Sequence, residues 1–448
     1  MLVCVRCDKI TVFFGQNRTI SKEYRNSYME KNKKKFFDVI VIGGGAAGMM
    51  AAIHAAGNGA STAIIEHKDR VGKKILSTGN GKCNYTNAVQ GIQCYRSDDP
   101  AFVLPVFEQF DFAKTVAFFE ELGIWPKVKN GYYYPASEQA SAVLDVLRHE
   151  TEYRHVSVFT EQAVMSVEQK KNRFLIQTKE CVFEAKTVLF ATGLLAAPKT
   201  GSDGSALPLI KQFGHRLSDV VPALVALHCG ESFFKQLAGI RTEARVELFV
   251  DGVSVSDDLG EVQLTDYGIS GIPVFQVSRF ATKALKRKQE VSAVLDFMPN
   301  CEERPFSKML CDRFSIYAHD KTAAEALTGL FHKKLAEVLL KESHISSQAK
   351  AASVSNKQLS SLAYLCKHFK VQVCGSKPFD QAQVCAGGIQ TEEIDPHTME
   401  SRLVPGLFFA GEVVDVDGIC GGYNLQWAWS SGMVAGTHAA LLALNGKR

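Results

Sequence analysis

The sequence predicts an α/β protein whose parallel-sheet domain is discontinuous, broken by an antiparallel β insert that carries a helical segment of its own. Three observations predict it. The apolar, β-branched run Val39-Ile40-Val41-Ile42 leads into glycines at 43, 45 and 48, and then into small helix-forming residues as far as about Ala56. Residues 222–299 read mostly as strands and residues 301–370 as helices. A strand, a glycine-rich loop and a helix then return between Gly406 and about Leu444.

The totals agree with that plan. At 448 residues the chain exceeds one ordinary core, so two or three domains are expected. The composition is globular, 46% hydrophobic and 22% charged. No apolar run approaches the roughly 18 residues of a membrane span, and the first residues lack the pattern of a signal peptide. A cytoplasmic location is the expectation. The formal net charge of +4 is unevenly placed: residues 1–35 hold nine Lys/Arg against three Asp/Glu, and the remainder holds 42 against 44. A nucleic-acid binder carries its positive charge on the folded part, so neither nucleic acid nor a membrane is expected as a partner. Residues 1–35 are polar and aperiodic and read as a disordered basic extension, with Met29 available as an alternative start. The twelve cysteines lack regular spacing and read as reduced thiols. Cys4-x-x-Cys7 has no second pair to complete a zinc site, so no metal is expected.

From Phe36 the elements follow in order. Val39–Ile42 reads as a strand buried on both faces. Glycines 43, 45 and 48 form G-x-G-x-x-G: Gly43 for the tight turn, Gly45 for close approach of a pyrophosphate, and Gly48 for helix–strand packing. The open N–H groups of Ala46, Ala47 and their neighbours at the helix start suit phosphates. A second strand, Thr62–Ile65, ends in Glu66, 18 residues past Gly48, where an acid accepts the hydroxyls of an adenosine ribose. This is the pattern of a Rossmann-like dinucleotide site.

Residues 67–87 are rich in Gly, Asn, Ser and Thr. They suit either a loop laid along an extended cofactor or an ordinary surface loop. Residues 100–123 have helical spacing, and so do residues 137–150. Between them, Tyr132-Tyr133-Tyr134 fits a pocket lining or alternating burial in a strand equally well. Residues 156–160, 163–167 and 173–177 read as antiparallel strands, and Val164 in the second is a candidate cofactor contact. Residues 184–190 climb back into an apolar strand, a second strand of the parallel sheet, which stops at Ala191-Thr192-Gly193, a sign of flavoproteins with two dinucleotide folds. No second G-x-G-x-x-G follows, so no separate nicotinamide domain is expected. After Gly406–Ala410, Gly411-Glu412 and the segment 415–424 bring glycines and a helix N-terminus to the site again, facing either the pyrophosphate or the pyrimidine end of a flavin, where negative charge develops on reduction.

These residues resemble the bacterial BaiN/YhiN-like FAD-dependent oxidoreductases, also labelled aminoacetone-oxidase-type flavoproteins. The resemblance runs from about Phe37 to the C-terminus and rests on DVIVIGGGAAG, GKKILSTGNGKCNYTN, LTDYGISGIPV and GLFFAGEVVDVDGICGGYNLQWAWSSGMVAG. It implies a discontinuous Rossmann-like FAD-binding domain (36–220 and 371–448), an inserted antiparallel β-barrel-like domain (221–300) and a small helical insert (301–370). It also implies the cofactor contacts. Gly43, Gly45 and Gly48 hold the pyrophosphate and Glu66, beside His67, the ribose. Lys73, Lys74, Ser77, Thr78, Gly79, Asn80, Cys83 and Asn84 run along the cofactor, with Ala191, Thr192, Gly193, Gly411 and Glu412 flanking it. Asp417, Gly421, Gly422, Tyr423 and Asn424 lie nearer the ribityl chain and flavin ring. The family commonly has arginine at the positions of Lys73, Lys82 and Tyr132 and a small hydroxyl residue at that of Cys420. Lysine keeps the charge but loses the bidentate fork.

The resemblance implies an oxidoreductase passing hydride between flavin and a small hydrophobic substrate, with NADH or NADPH as a transient donor. Some family members are assigned to C=C reduction in oxo-steroid bile-acid intermediates. Tyr132, Tyr134, Tyr267 and Tyr423 are candidate proton donors, and the spacing selects none of them. An amine oxidase using dioxygen and a flavin-dependent RNA-modifying protein are the alternatives. The oligomeric state is not set by the sequence.

Overall fold

The computed structural model describes residues 34–318 and 320–445. Most of the expected basic extension, and the Cys4/Cys7 pair, lie outside the described residues. The first strand, Lys35–Ile42, begins at the last residue assigned to that extension.

Lys35–Ile42 is the hub of a seven-stranded sheet. It pairs in parallel with Thr62–Ile65 on one side and Val182–Phe190 on the other. Ser157–Phe159 adds in parallel beside Thr62–Ile65. This corrects the expectation that the strand at 156–160 is antiparallel: the Glu66 N–H donates to the Phe159 carbonyl (2.8 Å), which draws this short strand to the parallel edge. Val182–Phe190 forks. Its first half pairs antiparallel with Arg173–Thr178, which leads to Val164–Lys170, and its second half pairs in parallel with Leu407–Phe409. The C-terminal ends of four parallel strands therefore stop together, at Ile42, Ile65, Phe190 and Phe409, where an open α/β sheet binds ligands.

Two helices of small residues close one face. Ala46–Gly57 lies against the long C-terminal helix Tyr423–Asn445. Their approach depends on glycines: a Cβ at Gly432 would stand 2.5 Å from the Ala47 carbonyl oxygen, and one at Gly436 would overlap that of Ala51. The stretch expected as one helix over 100–123 is instead a 3₁₀ turn and two helices, Leu104–Gln109 and Phe112–Glu121. Asp111 causes the break, because its side chain accepts from the Lys114 N–H (2.9 Å) as an N-cap.

The insert is a closed barrel of six antiparallel strands in the order Leu227–Cys229, Gly268–Gly271, Val253–Thr265, Arg241–Val250, Val291–Asp296, Phe369–Ser376. Alternate residues such as Val246, Leu248, Val262, Leu264, Ala293 and Val371 fill its interior. The closing strand lies at the start of the stretch expected to belong to the returning first domain (371–448). A helix missed in the strand-rich region, Ile272–Lys286, starts with Pro273 in its first turn. The helices Glu303–Ile316, Lys333–Glu342 and Asn356–Lys367 supply the expected helical segment, and Val221–Ala223 paired with Val384–Ala386 forms the two-stranded crossing between the domains. The expected fold class is therefore the observed one. Among the described residues no helix is long and apolar enough to cross a membrane.

Candidate active site

The glycine turn stands where the hub strand ends. Gly43 has φ +99°, and a Cβ there would lie 2.6 Å from the Ala191 carbonyl oxygen; a Cβ at Gly48 would overlap the carbonyl oxygen of Gly43. Gly45 differs, because a Cβ on it would meet nothing within 4 Å. It faces a cleft. Gly45 caps the helix Ala46–Gly57 without a side-chain bond, and no acid occupies the first turn. The helix therefore presents open N–H groups and its positive end to the cleft, an arrangement that suits an anion.

Glu66 closes the neighbouring strand and folds back on the glycine turn. Its Oε2 accepts from the Gly44 N–H (2.8 Å) and its Oε1 from the Lys68 N–H (2.8 Å), with His67 Nδ1 at 3.2 Å. Burial would raise this carboxyl's pKa, but the bonds from His67, Lys68 and Gly44 together take it below the ordinary value. The same contact raises the pKa of His67.

The cleft encloses about 1440 Å³, open solvent at its mouth included. Its lining contains Gly43, Gly45, Ala46, Ala47, Glu66, His67, Lys73, Lys74, Thr78, Val164, Ala191, Thr192, Gly193, Gly411, Glu412 and Asn424. These come from stretches far apart in the chain, and all were expected near a cofactor. Lys74 Nζ bridges to Glu412 (3.0 Å), whose other oxygen accepts from the Cys385 N–H (2.8 Å). The C-terminal helix holds the turn at Gly411 by both its groups: the N–H donates to Ser431 Oγ (2.9 Å) and the carbonyl accepts from Trp427 Nε1 (3.1 Å). Lining residues that sequence reasoning missed include Arg70, Gln162, Ser202, Asp203 and Ser205. The signal was present in Gly201-Ser-Asp-Gly-Ser205, a turn-rich run soon after Ala191-Thr192-Gly193.

The remaining expected residues stand elsewhere. Gly48 is packing. Ser77 turns back to its own backbone, donating to the Lys74 carbonyl (2.8 Å). Gly79, Asn80 and Cys83 share one kinked loop with positive φ, and the Cys83 thiol is fully buried, its pKa pushed up by burial to about 12. Tyr267 lies on the barrel, with the Lys377 ammonium 3.6 Å from its ring centroid. Asp417 points to the inserted domain, where its Oδ1 accepts from Arg279 Nε (2.9 Å).

A second cluster forms where the loop 420–424 meets the tyrosine strand Tyr132–Pro135. A Cβ at Gly421 would stand 2.8 Å from the Tyr132 ring, and Asn87 Nδ2 donates to the Gly421 carbonyl (3.0 Å). A Cβ at Gly422 would stand 2.9 Å from the Thr86 carbonyl oxygen and 3.1 Å from Asn84 Oδ1. That amide oxygen is buried and has no hydrogen-bond partner among the described residues. A Cβ at Gly79 would reach the Tyr134 ring at 3.7 Å. Tyr132, Tyr133 and Tyr134 are all half-buried, so the strand neither alternates cleanly nor exposes them. Burial raises the pKa of Tyr132, Tyr134 and Cys420, and the nearby carboxylate of Asp258 on the barrel adds to it for Tyr132 and Cys420. Tyr423 is raised further still by burial. All four groups are therefore protonated at neutral pH.

The chain matches the HI0933-like protein Rossmann domain over residues 37–438. It belongs to the HI0933-like family. Membership bears out the expected flavoprotein oxidoreductase class. The chain is 42% identical to a 3-dehydro-bile acid delta(4,6)-reductase of Clostridium scindens, over 87% of this chain and 96% of that one. It is 30% identical to a ribosomal RNA dihydrouridine synthase of Haemophilus influenzae, over 85% of this chain and 92% of that one. The corresponding Escherichia coli protein is also 30% identical, over 83% and 90%.

Proposed function

We propose that this protein binds FAD along the cleft and reduces a carbon–carbon double bond conjugated to a carbonyl in a small hydrophobic substrate, of which an oxo-steroid is the first to test. The observation that carries the reading is the 42% identity, over nearly the whole of both chains, to the bile-acid delta(4,6)-reductase.

The residues present fit the cofactor. The uncapped helix after Gly45 and the open space in front of that glycine suit a pyrophosphate. Glu66 suits the adenosine ribose, because its carboxylate stays charged at the cleft edge and would repel a 2′-phosphate. The unpartnered Asn84 Oδ1 supplies an acceptor near the glycines 421 and 422. FAD bound there supplies, once reduced, a hydride to the β-carbon of the conjugated system. The chain's part is to hold the substrate against the ring and give a proton to the α-carbon. Tyr132 and Tyr134 suit that role because burial keeps both phenols protonated. NADH or NADPH, docking transiently on the flavin face, supplies the electrons in this scheme. The scattered free thiols of the described residues support a reducing compartment, so the cytoplasm remains the proposed location.

A second reading, uridine in ribosomal RNA, is favoured by the two dihydrouridine synthases among the relatives. Its chemistry is the same: the uracil double bond is conjugated to a carbonyl. The near-neutral charge of residues 36–448 speaks against it. An anaerobic spectrum separates the readings. Adding NADH or NADPH should bleach the flavin band near roughly 450 nm, a property of the cofactor, and a 3-oxo-Δ4,6 bile acid should restore it. Restoration by unmodified ribosomal RNA and not by the steroid would transfer the substrate to the second reading. A protein that binds no FAD would refute the proposal.

A further inference from the structure

The residue expected beside the flavin, Asp417, is instead gripped from behind. Its partner Arg279 belongs to the helix Ile272–Lys286 of the inserted domain, and so do three more groups on the same face. Positions 276, 279, 283 and 286 repeat at helical spacing and face one side. Gln276 Oε1 accepts from the Cys420 N–H (2.9 Å). Arg279 Nε donates to Asp417 Oδ1 (2.9 Å). Lys283 Nζ lies 3.9 Å from Asp98, and Lys286 Nζ 3.0 Å from Asp219.

The first two contacts bracket one turn. Cys420 and Asp417 are three residues apart, and between them Gly418 is clasped by Asn424, whose side-chain oxygen accepts from the Gly418 N–H (2.9 Å) and whose amide donates to the Gly418 carbonyl (2.8 Å). Asn424 lines the cleft at the start of the C-terminal helix. A chain of direct contacts therefore runs from the inserted helix, through Arg279, Asp417 and Gly418, to the cleft wall. The pair is buried, at 10% and 5% side-chain exposure, so solvent does not screen it.

We infer that Arg279 is a positioning residue: through Asp417 it sets the turn 417–421, and with it the end of the cleft that receives the flavin ring, without touching cofactor or substrate. This rests on the flavoenzyme reading above. The grip is conditional on charge. Burial, only partly offset by Arg279, raises the Asp417 pKa to about 7. The other charged groups facing it are Lys283 on the same helix, Arg96 on the strand paired with Asp417–Gly418, and Asp415 on its own segment; Asp98 acts on Asp415 and pairs with Lys283. Above about pH 7 Asp417 is a carboxylate paired with Arg279, and below it the carboxyl is neutral and the grip weakens.

The test uses the full chain loaded with FAD, as wild type, Arg279→Gln and Arg279→Lys, with Arg241→Gln as a control that breaks an exposed ion pair on the barrel wall. Four readouts are taken: FAD affinity, the absorbance and midpoint potential of the bound flavin, kcat and KM with a 3-oxo-Δ4,6 bile acid, and kcat against pH. A misplacement of about 1 Å costs about 100-fold in rate, so Arg279→Gln should lower kcat by tenfold or more, with FAD affinity within about threefold, and should shift the flavin spectrum or potential. Arg279→Lys should restore part of the loss. The wild-type inflection near pH 7 should move to higher pH in Arg279→Gln, because the charge that lowers the Asp417 pKa is gone. Wild-type kcat, spectrum and pH profile in Arg279→Gln would overturn the inference, and so would a loss confined to folding that Arg279→Lys shares. If the wild type takes up FAD but ignores the steroid, the spectrum and potential still decide the point. Failure of the wild type to take up FAD sinks the flavoenzyme reading itself.

Discussion

Gly45→Ala separates the empty fold from the loaded one. Gly45 has φ −77° and ψ −166°, extended backbone that alanine adopts without strain. Its Cβ would meet no atom within 4 Å. The protein without cofactor should therefore fold as well as wild type, or gain about 0.4–1 kcal/mol from the lower entropy of the unfolded chain. The loaded protein should suffer. The methyl enters the space that a pyrophosphate must occupy to reach the N–H groups of Ala46 and its neighbours. Displacing the phosphates from one or two such bonds costs about 1.5–3 kcal/mol each. At about 1.4 kcal/mol per tenfold, FAD affinity should fall by roughly 10- to 10,000-fold. Thermal melting of the stripped protein reads the first expectation, and quenching of FAD fluorescence on titration reads the second. FAD affinity within threefold of wild type would refute the placement of the pyrophosphate at this helix. A lowered melting temperature in the stripped protein would refute the reading of Gly45 as open space.

Gly48→Ala should behave differently, because its Cβ would overlap the Gly43 carbonyl oxygen: overpacking of this kind costs about 1–3 kcal/mol, so both the stripped melting temperature and FAD affinity should fall. His54 is half-buried, with its ring against those of Phe110 and Phe118, and desolvation followed by the charge of Arg154 takes its pKa to about 4. The unfolded chain takes up this proton near pH 6.5 and the folded one only near 4, so stability should fall by about 3 kcal/mol as pH drops through that window. Urea midpoints from pH 7 to 4 should flatten in His54→Phe if the histidine is responsible. Tyr132→Phe, measured by single-turnover reoxidation of the reduced flavin with a conjugated ketone, should lose about 10²–10⁴-fold if its phenol gives the proton, and an unchanged rate would move that role to Tyr134 or Cys420.

The half of the site that was legible in the sequence is the half built by backbone. Gly43, Gly45, Gly48 and Glu66 announce themselves because a turn, an approach and a strand end each demand a residue type at a fixed spacing, and all but the packing glycine 48 line the cleft. Ala191-Thr192-Gly193 and Gly411-Glu412 were legible for the same reason. What was illegible depends on contacts between distant stretches. The helix Ile272–Lys286 sits between strands, and its polar face at 276, 279, 283 and 286 reads on its own as an ordinary solvated surface. Only the fold shows that this face meets Cys420, Asp417, Asp98 and Asp219. The family resemblance placed Asp417 near the ribityl chain and flavin ring, and only the fold shows that its carboxylate pairs with Arg279 of the inserted domain.

The cleft and the cluster at the inserted domain are built from different parts of the residues. The parallel sheet and the two small-residue helices line the cleft with glycines and open helix-start N–H groups, so under the function proposed above substitutions there should alter affinity for the cofactor. Tyr132, Tyr134 and Cys420 instead cluster with Asp258 and Gln276 of the inserted domain, and this cluster is built of side chains. Substitution in that cluster can change which molecule is accepted while leaving the glycine turn untouched. The departures noted from the family pattern, Tyr132 in place of arginine and Cys420 in place of a small hydroxyl residue, both fall there. Under the function proposed above, a phenol in place of a guanidinium would remove a fixed positive charge and a bidentate anion clamp from the substrate end, which favours a hydrophobic substrate over one that carries several phosphates.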